Sequence, residues 1–328
     1  MPFACWIVHG SESRLSARSS NGVSVDPLSD ILSLLNAKSL LSAGLHAGGD
    51  WAVEFSTYQG VKFCVVVRGS CWLAVSGVAG QTRLEAGDCF FANGQTFVLA
   101  SDLRLPPVSS HSVFTRAVNG IAHCGDVTDL IAIGGRVQLD EDNAALLLDA
   151  LPPLIHIRGK SEEAGVLRWV LDRISLEVTS GQPGTALMRD NLAHIMFVQT
   201  LRTYLASEER PPAGWLGALA DSRIGEAIRL LHANPSRHWT LDELSSSVAM
   251  SRSNFALRFK ALVGIAPLDY LLRWRMRLAA RELGRATRSV SSIALSLGYE
   301  SESAFSKAFK RIMGSSPIRY RQNGSSLP

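Results

Sequence analysis

Apolar positions follow three different periods along this chain. In residues 26–35, Leu28, Ile31, Leu32 and Leu35 recur at helical spacing, which predicts a short amphipathic helix. From residue 50 to about 135 the pattern breaks into short β-rich runs at 51–55, 61–67, 71–75, 89–92 and 97–99. Gly, Asn, Asp and Ser punctuate these runs, as in an all-β sandwich or barrel. The stretches 68–72 and 84–91 put turns where a jelly roll bends, and 147–155 closes the region. From Ser161 the period becomes helical. Val166, Trp169, Val170, Arg173, Ile174 and Val178 predict one helix. Residues 181–184 break it. Leu187, Leu192, Ile195, Met196, Val198, Leu201 and Leu205 predict a second. Residues 208–214 are charged, then rich in Pro and Gly, and read as a linker. A helix from Ile224 to about Ala233 follows.

The region beyond residue 240 repeats itself. Ser251, Ser253, Phe255, Phe259, Lys260, Gly264, Pro267 and Tyr270 return as Ser301, Ser303, Phe305, Phe309, Lys310, Gly314, Pro317 and Tyr320, eight identities at an offset of 50 residues. One supersecondary unit is therefore present twice. Each copy reads as helix-turn-helix. Thr240 and Glu243 form a capping box ahead of Leu241, Leu244 and Val248. After a turn at 249–251, Ser251 caps a second helix that buries Phe255, Phe259 and Leu262 and stops at Gly264, with Pro267 beyond. In the second copy Ser289 is the cap, Val290, Ile293 and Leu297 form the stripe, and 298–300 makes the turn. Ser301 then starts a helix that buries Phe305, Phe309 and Ile312 up to Gly314. Residues 267–284 join the copies as a helix about 27 Å long. Such units can set two recognition helices roughly one DNA turn, about 34 Å, apart.

Charge separates with the repeat. Residues 221–324 hold 17 Lys and Arg against 8 Asp and Glu, a net of +9, while the whole chain of 328 residues carries only +4. The remainder is acidic. A plain helical bundle has no need of that division, whereas phosphate binding asks for it.

The repeat, the Gly-Tyr-Glu-Ser turn at 298–301, the Ala-Phe-Ser-Lys-Ala-Phe-Lys run at 304–310 and Ser-Pro-Ile-Arg-Tyr-Arg at 316–321 resemble the DNA-binding domain of the AraC/XylS family of bacterial transcription regulators. The resemblance implies a sequence-specific regulator of double-stranded DNA, activators being the commoner kind, with RNA polymerase as a partner. A recognition helix offers its N-terminal, solvent-facing side chains to the major groove. With the phenylalanines buried, these are Arg252, Ser253, Ala256, Leu257 and Lys260 in the first copy. In the second they are Glu302, Ser303, Ala304, Lys307 and Lys310. Arg or Lys suits guanine, Glu accepts from cytosine, and Ala or Leu meets the thymine methyl. Thr240, Ser289, Arg273, Arg275, Arg277, Arg319 and Arg321 are candidates for phosphate contacts.

The β-rich region resembles the cupin-type sensor domain that precedes such DNA-binding domains. The fold expected is therefore α+β and multidomain: an N-terminal cupin-like β-barrel with flanking helices, then a C-terminal all-α domain with two helix-turn-helix motifs. Boundaries are expected at 1–22 (disordered), 23–155 (sensor), 156–207 (helical, dimer-forming), 208–220 (linker) and 221–324 (DNA-binding, motifs at 240–263 and 289–313). Relatives of the sensor group often carry histidines where this chain has Cys64 and Phe97, and His46, His111 and His123 form no His-x-His pair. No metal and no cofactor is expected, and no catalytic residue, so the barrel reads as a sensor of an unknown small molecule. A metal site at Cys64 and His46, and with it a cupin enzyme tethered to DNA, is the competing class. Another is a thiol sensor built on Cys64, Cys71 or Cys89, Cys71 standing three residues from Arg68. A nonspecific nucleoid-type binder is the last. Five cysteines without Cys-x-x-Cys spacing suit a reducing cytoplasm. No apolar run approaches the length of a membrane span, and no secretion leader is seen, so a cytoplasmic protein is expected. The resemblance implies a homodimer through the apolar helices at roughly 161–206.

Overall fold

A computed structural model describes residues 26–58, 60–118, 120–140, 144–161, 165–180, 182–206, 214–285 and 287–324. The expectation of disorder at 1–22, and residues 208–213 of the expected linker, lie outside the described residues.

Helix α1 (Pro27–Leu34) forms where the apolar spacing placed it, with Asp26 as its N-cap accepting from the Leu28 N–H. Eleven strands follow, interrupted by two short helices. They are β1 (Lys38–Ala47), β2 (Ala52–Phe55), β3 (Val61–Arg68), β4 (Ser70–Val75), β5 (Thr82–Glu85), β6 (Cys89–Asn93), β7 (Phe97–Ala100) and β8 (Val108–Ser109). Then come α2 (Ser110–Phe114), β9 (Ile121–Cys124), β10 (Leu130–Gln138), α3 (Ala145–Leu148) and β11 (Leu154–Ile157). They build two sheets, ordered β11-β6-β3-β10-β1-β9 and β5-β4-β7-β2-β8. Strand β3 lies inside the first sheet, and its alternating side chains serve two cores. Val61, Phe63 and Val65 face the helices. Cys64 and Val66 face the second sheet, among Leu73, Phe90, Phe97 and Leu99. Asp88, buried beside β6, accepts from the Glu85 and Gly159 N–H groups and meets His156 Nε2 at 3.2 Å, tying β11 to the turn before β6.

The hydrophobic pattern predicted β2, β3, β4, β6 and β7 but passed over β1 and β10, which pair with each other near the middle of the first sheet. Both carry glycine and small residues, which weaken a strand signal, and β1 is bulged between Leu41 and Ala43. Gly135 in β10 has to be glycine: a Cβ there would sit 2.3 Å from the Phe63 ring and 2.4 Å from the Leu40 carbonyl oxygen.

Helices α4 (Gly165–Ser180) and α5 (Thr185–Ala206) pack together and against the outer face of the first sheet. Their buried faces are Leu167, Val170, Leu171 and Ile174, and Leu192, Ala193, Met196, Phe197 and Leu201. Val166, Trp169, Leu187 and Ile195, read from the sequence as part of the apolar stripes, lie instead on the outside. Both helices have more apolar residues than one face can hold. Residues 214–218, read as linker, form the short helix α6 (Gly214–Ala218). Its Trp215, Leu216 and Ala218 are buried, because two large apolar side chains in so short a connection find cover against the first helix-turn-helix unit.

The remaining seven helices are α7 (Ile224–Ala233), α8 (Leu241–Ser247), α9 (Arg252–Val263), α10 (Pro267–Gly284), α11 (Val290–Ser296), α12 (Glu302–Met313) and α13 (Pro317–Gly324). Helices α8–α9 and α11–α12 are the two repeats. Thr240 and Glu243 make the capping box in full. Ser251, Ser289 and Ser301 each accept from the backbone N–H three residues on. Gly264 and Gly314 end α9 and α12 in the left-handed conformation, at φ of 87° and 78°.

Helix α10 spans two cores. Its first half gives Tyr270, Leu271 and Trp274 to the first repeat, whose core is continuous with that of the sensor region through α1, α6 and α7. Its second half gives Met276, Ala279, Ala280 and Leu283 to the second repeat, which has a core of its own.

Candidate nucleic-acid interface

The two repeats present matching helices. Phe255 and Phe259 of α9, and Phe305 and Phe309 of α12, are fully buried. Burying them turns the opposite side of each helix outward. On α9, Arg252, Ser253, Leu257 and Lys260 are exposed; on α12, Glu302, Ser303, Ala304, Lys307 and Lys310 are exposed. Ala256 is only half-buried, like its repeat partner Ser306. The repeat partner of Ala304 is Asn254, an exposed residue that the sequence reading omitted. Asn254 belongs with the outward face of α9, and Ala256 belongs at its edge.

The faces differ in chemistry. On α9, Leu257 holds 74 % of its surface in solvent, an unfavourable position for a large apolar side chain unless a partner covers it. Arg252 leans toward Asp242 at 3.3 Å, an exposed pair of small energetic value. On α12, Lys307 and Lys310 make no ion pair among the described residues, so their ammonium groups stay available to an acceptor.

The seven candidate phosphate contacts divide into three groups. Arg273 and Arg319 are exposed. Thr240 and Ser289 lie exposed at the N-termini of α8 and α11, although both hydroxyls already serve as caps. Arg275, Arg277 and Arg321 are half-buried. Arg275 donates to the carbonyls of Pro235 and Arg237, the latter at 2.8 Å, and so braces the loop between α7 and α8. Arg321 donates to the Arg288 carbonyl at 2.6 Å. Burial lowers the Arg277 pKa from its usual value. Arg275 and Arg321 thus brace the fold through backbone carbonyls, in addition to any contact they make with phosphate. In these two the long aliphatic stem packs while the guanidinium finds carbonyl oxygens.

A polar junction that the sequence did not reveal joins α1 to this domain. His232 on α7 has a fully buried side chain stacked on Trp274, with ring centroids 4.0 Å apart. Its Nδ1 lies 3.1 Å from Asp30 Oδ2 of α1, and its Nε2 lies 2.8 Å from the Tyr270 hydroxyl. This suits a neutral ring, Nδ1–H donating to the carboxylate and Nε2 accepting from Tyr270. Burial pulls the His232 pKa below its ordinary 6.5, with Asp30 opposing the shift. A histidine with a depressed folded pKa leaves stability intact above its unfolded value. That stability is lost as the pH falls from 6.5 toward the folded value. Wild-type protein should therefore lose more melting temperature between about pH 7.5 and about pH 5.5 than His232→Phe does; equal losses would mean that the junction does not titrate.

The three cysteines considered as thiol sensors, Cys64, Cys71 and Cys89, are buried side chains of the cupin domain. Burial raises all three thiol pKa values, to about 12 for Cys71 and Cys89. That corrects the thiol-sensor alternative, since the reactive form is an accessible thiolate. Arg68, three residues from Cys71, donates to the Thr128 carbonyl. His46 and His123, apparently scattered in sequence, are cross-strand neighbours with ring centroids 5.2 Å apart. Among the described residues no group of three or more His, Cys, Asp or Glu side chains is placed to hold a metal. No helix of the described residues is long and apolar enough to cross a membrane.

A β-barrel leading into two outward-facing recognition helices on a basic domain defines a DNA-binding regulator. Comparisons with known proteins agree. A cupin family profile matches residues 26–206, and a helix-turn-helix domain profile matches residues 244–323. The chain is 43 % identical over 300 residues to a putative AraC-like transcription regulator of Streptomyces lividans, covering 91 % of this chain and 99 % of that one. It is 42 % identical over 300 residues to a protein of the same description from Streptomyces antibioticus, with the same shares of each chain covered. The regulator AlkR of Acinetobacter baylyi is 31 % identical over 84 % of this chain and 92 % of its own. The chain belongs to the AraC family of transcription regulators, with a cupin domain at its N-terminal side.

Proposed function

We propose that the protein reads a bipartite site in double-stranded DNA, α9 taking one element and α12 the other. The paired outward faces of these helices are the observation that carries the reading. Asn254 and Leu257 on α9, and Glu302, Ala304 and Lys307 on α12, read base edges. Arg273, Arg319 and the N-termini of α8 and α11 hold the phosphates. The cupin domain binds a small effector without transforming it. Occupancy reaches DNA through α1 and α6, because the first repeat shares its core with the sensor region and the second repeat does not. Effector binding then biases how the first reader sits relative to the second, a coupling free energy between the two sites. The setting is cytoplasmic, and the partner is RNA polymerase at an activated promoter, as family membership suggests.

The functional unit is a homodimer. Val166, Trp169 and Leu176 of α4 lie exposed at spacings of three and seven residues, a single stripe, and Leu187, Met188 and Ile195 of the adjoining α5 are exposed as well. Trp169 alone leaves 55 % of its surface in solvent. Exposed large apolar side chains gathered on two packed helices support an interaction surface there. Sedimentation at about micromolar concentration, where a standard interface stays closed, should give dimers for wild type and monomers for a Trp169→Glu, Ile195→Glu variant. Wild-type monomers would remove the dimer from the account.

Selection of bound sequences from random duplexes at about 0.15 M salt, which screens loose phosphate binding, tests the reader itself. A bipartite motif is expected. Uniform recovery of all sequences by effector-loaded and effector-free protein alike would make it a nonspecific binder.

A further inference from the structure

A cavity of about 390 Å³ opens between the two sheets of the cupin domain. It exists because small residues occupy its floor: Ala43, Cys64, Ala132 and Gly134 from β1, β3 and β10. Leu45, Phe97 and Leu99 complete an apolar wall, and Phe55 closes over it, stacked on Phe97 at 4.6 Å. At about 30 Å³ per water-sized group, the space suits a ligand of roughly a dozen non-hydrogen atoms.

The mouth is charged. Lys62 and Arg136 line the cavity and stand directly opposite each other in the β3–β10 register. Like charges in that relation repel. Neither makes an ion pair among the described residues, and no carboxylate lines the cavity. Lys62 Nζ donates to the Ser56 carbonyl at 2.7 Å, a neutral partner, and both cations lie 5.9 Å from the centre of the Tyr58 ring. Partial burial lowers the Lys62 pKa, an unfavourable state for its charge that an anion would relieve. A neighbouring hollow shares Arg136 and brings Arg189 as well as Asp190 to its wall. Lys62 and Cys64 are two residues apart on one face of β3, so about 7 Å separates the mouth from the floor.

We propose that this cavity binds a small amphipathic carboxylate, its anionic group held between Lys62 Nζ and the Arg136 guanidinium and its alkyl or aryl body lying among Leu45, Phe55, Phe97 and Leu99. The proposal rests on the reading of the cupin domain as the effector site and supplies the chemical class. A sugar fits less well, because its hydroxyls would meet the apolar side chains of Leu45, Phe55, Phe97, Leu99 and Phe114 over much of the wall. A bare inorganic anion leaves the apolar interior unfilled. The guanidinium offers the planar fork that matches a carboxylate, and such charge-assisted hydrogen bonds are about twice as strong as neutral ones.

The test uses the full-length protein, with 4-phenylbutyrate and 4-phenylbutan-1-ol as a matched pair that differ in the charged group. Titration calorimetry should show saturable binding of the acid and at least about tenfold weaker binding of the alcohol. A Lys62→Met, Arg136→Met variant should bind both probes alike. Gly134→Val should bind neither: a Cβ at Gly134 meets nothing closer than the Phe63 carbonyl oxygen at 3.5 Å, so the added side chain fills the cavity. Ala43→Leu serves the same purpose if the valine variant does not fold. Octanoate, an alkyl body of similar size, should follow 4-phenylbutyrate. Equal binding of acid and alcohol by wild type, no saturable binding of any acid, or unchanged binding by both filled variants would overturn the proposal. The same preparations are assayed on the selected DNA. Retained DNA binding without a preference for the acid sinks only the ligand class, whereas loss of specific DNA binding sinks the underlying reading.

Discussion

Replacing Lys307 by alanine is expected to weaken binding to the preferred DNA site by about 1–3 kcal/mol, roughly five- to 150-fold, and to relax selectivity at one base pair. The side chain is exposed on the outward face of α12 and free of ion pairs among the described residues, so its loss removes a contact without disturbing the fold. Arg273→Ala should behave differently. An exposed cation on α10, outside the recognition helices, binds phosphate, so its loss should weaken all sequences alike and reduce the slope of log K against log salt by about 1. Arg275→Ala should differ again. That guanidinium donates to the Pro235 and Arg237 carbonyls, and its removal leaves acceptors unpaired and lowers the melting temperature as well. Fluorescence anisotropy across a salt series, with the preferred duplex and a scrambled one, separates the three. If Lys307→Ala and Arg273→Ala weaken both duplexes equally, α12 does not read bases.

The second large effect lies in the turns of the repeats. Gly298, between α11 and α12, has φ of +81°, and a Cβ there would stand 2.0 Å from the backbone oxygen of Ser236. Gly298→Ala combines left-handed strain with a clash against main chain, and should destabilise the domain by about 3 kcal/mol or more. The equivalent residue of the first repeat is Ala249, at φ of +52° and exposed. It adopts the same left-handed conformation without the glycine that suits it. Ala249→Gly should stabilise by about 0.5–1 kcal/mol, the relief of strain exceeding the added freedom of the unfolded chain. Urea melts of both variants give the two signs. A harmless Gly298→Ala would contradict the packing of that turn against the α7–α8 loop.

This asymmetry also marks how far the sequence could be read. The repeat, the caps at Thr240, Ser251, Ser289 and Ser301, and the glycine stops at 264 and 314 depend on residues close together in the chain. Local chemistry decides them. The same holds for the buried phenylalanines, whose spacing fixes the outward faces of α9 and α12. What stayed hidden depends on register between distant segments. Strands β1 and β10 carry small residues that give a weak strand signal, yet Ala43, Ala132 and Gly134 among them help open the cavity once β1, β3 and β10 lie side by side. Lys62 and Arg136 carry no signal until the β3–β10 pairing sets them opposite each other. The Asp30–His232 contact joins residues 202 apart, and nothing on α1 announces it. The stripes of α4 and α5 were legible as apolar but not as to which residues face outward, since each helix carries more hydrophobic side chains than it buries.

The central claim is that each recognition helix reads its own element of a bipartite site, and the internal repeat supplies its most direct test. Glu302, Ala304 and Lys307 of α12 correspond to Arg252, Asn254 and Leu257 of α9. A Glu302→Arg, Ala304→Asn, Lys307→Leu variant gives α12 the outward face of α9, and the random-duplex selection is repeated with it. The account predicts that one element of the motif stays as it was and the other changes into a copy of it, at unchanged spacing. A motif identical to that of the wild type, from a variant that folds and binds, would show that these side chains do not read the DNA.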